Sequence, residues 1–193
     1  GYMGAGWSFS GASAITRCPK NFVNDNIQGR VGFDASDRLC LDGQRLINTN
    51  APAASETQAE KDRLYWSAAS YYKELSDFTI VRPHGTASQG PKAYSVETKS
   101  GEIHYYGDVS AVSGTDTKGA SLALTLKNAA GSTESGSDAL FEVPGSTTAR
   151  FWALKAIKDV KNNYILFKYA EDQAKGEHYL SEVHYTGRGT TAP

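Results

Sequence analysis

Four residues have the types and the spacing to hold a metal ion. Glu102-x-His104 and Glu182-x-His184 are one tripeptide pattern occurring twice. Each falls in a run predicted as a strand, and residues two apart on a strand share a face. If those strands were neighbours, two imidazoles and two carboxylates would converge on one cation. The plainer reading is four polar side chains on a solvated sheet face, paired across strands. The pattern alone assigns no metal and no cofactor.

Other chemistry is excluded more directly. The nucleophile elbow G-x-S-x-G is absent, because "GWSFS" puts Ser10 where the second elbow glycine belongs. H-E-x-x-H is absent. Two cysteines cannot build a zinc ribbon. No two glutamates stand two apart, so the Glu-x-Glu signature of arginine-directed ADP-ribosyltransferases is missing. Gly4 and Gly6 resemble the start of a dinucleotide loop, but Phe9 stands at the third glycine and no strand precedes. Glycosidase-type carboxylates come from distant strands, and nothing singles out a pair. No catalytic residue is assigned, and a non-enzymatic protein is expected. Trp7, Trp66 and Trp152, with 11 tyrosines, could form an aromatic platform for sugars. The same side chains serve equally as core.

Cys18 and Cys40 are the two cysteines. They read either as two small buried thiols or as one disulfide closing a loop of modest length. The second would stabilise by about 3 kcal/mol in the loop-entropy model.

The elements that must position these residues are mostly strands. "DRLCLDGQRL" is a hairpin around Asp42-Gly43, since Asp-Gly suits a turn with positive φ at both positions. "SGASAITR" gives a strand with Ile15 inside. "GRVGFD" alternates, with Val31 and Phe33 on one face. Ser55 and Gln58 fit a capping box, and a short helix is expected near 56–69. A strand follows near Tyr71–Val81. "AYSVETKSGEIHYYG" is a hairpin turning at Ser100-Gly101. Residues 110–148 shift to Gly, Ser, Thr and Ala, and hold "SLALTL" and "ALFEV". These two read as a projecting hairpin with a flexible tip near Gly131–Ser137. "RFWALKAIKDVKNNYILFKYAED" is two runs about Lys161-Asn162-Asn163, and "GEHYLSEVHYTG" is a last strand. The sum is all-β: about ten strands, mainly antiparallel hairpins in a curved sheet, with at most one short helix.

Bulk properties narrow the partners. The chain has 193 residues and a net charge of −1. Hydrophobic residues make 39% and mean hydropathy is −0.47, enough for a core but not a generous one. Scattered lysines and arginines give no nucleic-acid groove and no polybasic membrane patch. No apolar run reaches the roughly 18 residues of a membrane span, and no signal peptide is visible. The chain begins at Gly1 and its only methionine is Met3. A segment of a longer polypeptide is expected.

The stretches "GWSFSGASAITRCP", "DRLCLDGQRLI", "YYKELSDFTIV", "GPKAYSVETKSGEIHYYG", "FWALKAIKDVKNNYILFKY" and "HYLSEVHYTG" come in the order of a known domain. The chain resembles the SpvB-type N-terminal domain of insecticidal toxin-complex B components, which are related to RHS/YD-repeat shells. "TRCP" followed by "CLDGQRL" carries most of the specificity. Residues 52–70 are longer and more helical than that pattern, and 110–148 read as an insertion. The resemblance implies one domain over 1–193 and a section of β-shell wall with no catalytic residues. It implies other shell segments and a C-component-like toxin protein as partners, in a secreted bacterial assembly. A wall cut from its neighbours should expose strand edges and tend to self-associate. The alternative is a carbohydrate-binding β module of a secreted or surface protein. A glycan array separates the two.

Overall fold

The computed structural model describes residues 13–50, 53, 55–75, 77–85, 90–127, 131–134, 136–172 and 175–188. Eleven strands run through them. They are β1 (Ala14–Cys18), β2 (Arg38–Leu41), β3 (Gln44–Asn48), β4 (Tyr71–Lys73), β5 (Ile80–His84), β6 (Ala93–Glu97), β7 (Ile103–Gly107), β8 (Leu140–Glu142), β9 (Ala149–Lys158), β10 (Asn163–Asp172) and β11 (Glu177–Arg188). Neighbours in sequence pair antiparallel from β1 to β7, then β7 pairs β9. β9 also pairs β1, with Ile15 opposite Trp152. The curved sheet therefore closes into an eight-stranded antiparallel barrel. β8, β10 and β11 extend it from β9.

The turn chemistry explains the register. Asp42 and Gly43 have φ of 50° and 81°, and Leu41 faces Gln44 across them. This two-residue loop fixes which side chains of β2 and β3 point inward. Ile15, Leu39, Leu41, Leu46, Val81, Tyr94, Val96, Tyr106, Trp152 and Leu154 fill one continuous core. Its largest member, Trp152, has no exposed surface and donates its Nε1–H to Pro91 O at 2.8 Å. Gly107 is obligatory beside it: φ is 76°, and a Cβ there would sit 2.6 Å from both Lys92 O and Trp152.

The helix is α2 (Gln58–Trp66), within the expected window, but its cap differs. Thr57, not Ser55, is the cap and accepts from Glu60 N–H, while the Glu60 carboxylate pairs with Arg63 instead of closing a box. A one-turn helix, α1 (Phe22–Asp25), was not foreseen; Asn21 caps it by accepting from Asn24 N–H.

Three local expectations are corrected. The single strand near Tyr71–Val81 is two strands, β4 and β5, reversing where Phe78 has φ 65°. Val31 and Phe33 lie in an irregular loop, and Phe33 has φ 57°. "SLALTL" is not one arm of a projecting hairpin. β8, which contains "LFE", pairs with β9 instead. Leu122 and Leu126 are buried with Tyr105, Val109, Val112, Tyr164 and Leu166 in a second core. Alternation suited a strand, but the outer face of the sheet offered an apolar surface, and burial won over pairing.

Candidate functional site

The two Glu-x-His pairs do not meet. Glu102 and His104 flank and enter β7, and Glu182 and His184 lie on β11, with β9 and β10 between. Within each pair the contact is local: His104 Nε2 is 3.9 Å from a Glu102 oxygen, and His184 Nε2 is 2.6 Å from a Glu182 oxygen. Lys168, across from Glu182 on β10, approaches the same carboxylate at 3.6 Å. These are contacts along one strand, with a single cross-strand ion pair between Lys168 and Glu182. Among the described residues no three His, Cys, Asp or Glu side chains are grouped to hold a metal ion.

The aromatic platform is not assembled from its described members. Trp152 is core. Trp66 lies under the Arg17 guanidinium, 4.8 Å from its ring centre, and donates to Asp37 O at 3.2 Å. Trp7 and the Gly4/Gly6 loop lie outside the described residues.

The cysteines are joined: Cys18 ends β1, Cys40 lies on β2, and their Cα atoms are 5.9 Å apart. β1 pairs β2 with Thr16 facing Cys40 and Cys18 facing Arg38, so the bond is a diagonal staple across one ladder.

Beside that staple lies a buried charge network that motif reading missed. Arg38 Nε meets Asp25 at 2.8 Å and its Nη2 meets Asp62 at 2.7 Å. Arg45 meets the other oxygen of Asp25 at 2.7 Å, and Lys20 meets Asp62 at 2.7 Å. Arg17 meets Asp37 at 3.0 Å, both almost fully buried. Tyr65 of α2 lies between the β2 and β3 arginines, with Arg38 4.6 Å from its ring centre. Its hydroxyl donates to Leu46 O and accepts from Leu39 N–H. Burial pushes that hydroxyl up to about 12. Burial also works against the Asp25 carboxylate, but the Asn21 N–H and the two arginines outweigh it and hold its pKa low. Removing one member of such a cluster leaves a buried charge uncompensated. Asp25, Arg38, Arg45 and Tyr65 of the network line a cleft of about 350 Å³ with Asn24, Asn48 and Gln58. The network's members come from β1, α1, β2, β3, α2 and the loops between, so no sequence spacing announces it.

A second cavity, about 470 Å³, lies at one end of the barrel. His104, Tyr106, Asp42 and Ser13 line it. The Ser13 hydroxyl donates to Asp42 at 2.8 Å and pairs with the Tyr106 hydroxyl at 2.7 Å. Burial lowers the His104 pKa, partly offset by Glu102. Ser13 is thus held by an acid and a phenol, with no imidazole hydrogen-bonded to it.

No protein-family model matches the sequence, and no curated protein does. Solved structures do match in fold. The TcdB2-TccC3 crystal structure aligns over 93% of this chain and 8% of its own, at 17% identity and a TM-score of 0.52. TcdB2-TccC3-Cdc42 aligns over the same shares at 18% identity and a TM-score of 0.53. The N-terminal domain of effector protein SpvB from Salmonella typhimurium strain LT2 aligns over 93% of this chain and 53% of its own, at 16% identity and a TM-score of 0.52. The chain therefore has the fold of the SpvB N-terminal domain and of one part of TcdB2-TccC3. It spans less than a tenth of the TcdB2-TccC3 chains.

Proposed function

We propose that this chain is a non-catalytic structural segment of a toxin-complex B-like or RHS-type β-shell. That shell encloses a toxic polypeptide and helps deliver it, in a secreted bacterial assembly. The supporting observation is the fold match: nearly the whole chain superposes on a small section of TcdB2-TccC3. The partners in this reading are other shell segments and a C-component-like toxin protein. The site chemistry agrees with it. Charges pair with one another, the Ser13 hydroxyl is tied to Asp42 and Tyr106, and the hairpins are tightly specified.

The test uses the full polypeptide that contains this chain, produced together with its candidate toxin partner. Electron microscopy should show a hollow particle with this barrel in its wall. The toxin segment should resist protease until the particle is opened. A barrel hanging from a linker, with the partner digested freely, would overturn the reading. Barrel closure through β1 and β9 favours a second reading, a self-contained carbohydrate-binding module. Binding to one sugar class on a glycan array would establish that one instead.

A further inference from the structure

On β9 the strand alternation breaks at one residue. Tyr105 and Tyr106 of β7 pair with Ala156 and Leu154, so Lys155 is the extra residue of a bulge. Trp152 and Leu154 belong to the barrel core, and Ala156 belongs to the outer core. The bulge re-aims Lys155, whose side chain is entirely buried. Its amine meets Asp138, in the short 3-10 turn Ser137–Ala139, with Nζ 2.5 Å from Oδ1. The other Asp138 oxygen accepts the Tyr169 backbone N–H at 3.0 Å. A second carboxylate, Glu134, pairs with Lys168 at 3.8 Å, and its charge also reaches the Lys155 amine. Ala139, Phe141 and Ala153 pack beside the pair, with Tyr169 against them.

This is an awkward place for an ion pair. Burial lowers the Lys155 pKa, and Asp138 only partly restores it. Moving the proton off the amine removes the buried ammonium charge, and Asp138, 27% exposed, leaves one side open for a departing water. What remains is a neutral amine fixed in contact with the carboxyl group. Fixed contact of that kind replaces a high effective concentration of reactants.

We propose that Lys155 and Asp138 condense into an intramolecular isopeptide bond that ties the covering segment to β9. The Nζ lone pair attacks Asp138 Cγ and forms the C–N bond. The negative charge that develops on Oδ2 faces the Tyr169 N–H. The bond from Cγ to Oδ1 then breaks. Oδ1 takes both protons that the ammonium and then the attacking amine give up across the 2.5 Å contact, and leaves as water. Oδ2 becomes the amide carbonyl. No oxidant or other co-reactant is needed.

The experiment is an intact mass of the purified full chain, denatured and with its disulfide reduced. A mass about 18 Da below that of the sequence, one water, is expected. Digestion should yield one branched peptide joining the segments that contain Asp138 and Lys155. Lys155→Met should carry its full sequence mass. Asp138→Ala should carry its full sequence mass as well. A wild-type chain at full sequence mass would overturn the proposal. So would an 18 Da deficit with no branched peptide, which would mean a cyclic imide, or a deficit that persists in Lys155→Met. The wild-type measurement decides even if the Lys155 variant fails to fold.

Discussion

Gly43 and Gly107 both have positive φ, at 81° and 76°, yet their surroundings differ. A Cβ at Gly43 meets nothing within 4 Å, and one at Gly107 meets a backbone oxygen and an indole at 2.6 Å. Gly43→Ala should cost only the left-handed backbone penalty, about 1 kcal/mol. Gly107→Ala should cost about 3 kcal/mol or more, since backbone or core must move. Urea midpoints of the two variants check this, and equal shifts would reject the register around Trp152. His84 makes a second residue-scale prediction. Its Nε2 lies 2.7 Å from Ser95 Oγ, and burial, helped by Arg82, lowers its pKa from 6.5 to about 4. Between those values the unfolded chain binds a proton that the folded chain refuses. Stability is therefore fully present above pH 6.5 and falls as pH drops toward 4. The full loss is about 3 kcal/mol from this one group. His84→Gln keeps a hydrogen bond to Ser95 within reach and should flatten the stability profile between pH 6.5 and 4.5. An unchanged slope would show that His84 charges freely in the fold.

At the scale of elements, the stretch after β7 is the clearest case. Its composition suggests a loose insert, yet Leu122 and Leu126 are each 1% exposed. They cover the outer faces of Tyr105 and Tyr164 rather than reaching into solvent. Leu126→Ala should cost about 2–5 kcal/mol, as for any large core truncation. Thermal or urea unfolding reads it, and a loss below half a kilocalorie would mean that the segment is only draped on the sheet. α2 behaves in a similar way. It is anchored by Tyr65 between arginines and by Tyr71, whose hydroxyl donates to Tyr65 O at 2.8 Å. Its own composition gives it little amphipathic character, so the barrel wall holds it in place.

For the whole molecule, closure changes what the edges can do. β1 and β9 seal the barrel, and its interior is packed with side chains instead of facing a cavity. The expected long open edge survives at one place. Among the described residues β11 pairs with β10 alone, over twelve residues, and Tyr179 and Tyr185 on it are 46% and 67% exposed. Two irregularities in the β10–β11 register bend this ribbon, which blunts the edge without covering it. The isolated chain should therefore self-associate reversibly through β11 at high concentration. Sedimentation over a wide concentration range, with hydrogen exchange on the same sample, measures it. A monomer at every concentration, with β11 amides as slow as those of β7, would remove the expectation.

The sequence by itself determined the hairpins, because their signals are local. Asp42-Gly43, Ser100-Gly101 and the polar turn before Asn163 each fix a reversal within a few residues. The alternation of "AYSVE" and "IHYYG" fixes which faces they bury. The sequence also placed the helix within 56–69, although it put the cap at Ser55 where the structure has Thr57. Only the tertiary structure decided the rest. Whether a curved sheet stays open or closes depends on β1 reaching β9 across more than a hundred residues, and no local preference encodes that contact. The Arg17, Arg38 and Arg45 cluster depends on charges scattered over five elements and the loops between them, which become one network only when desolvated together. The two Glu-x-His patterns show the converse. Identical spacing gave identical local faces, but two intervening strands kept the faces apart. The choice between free thiols and a disulfide turned on the β1–β2 ladder bringing two Cα atoms within bonding reach, a distance that sequence does not contain.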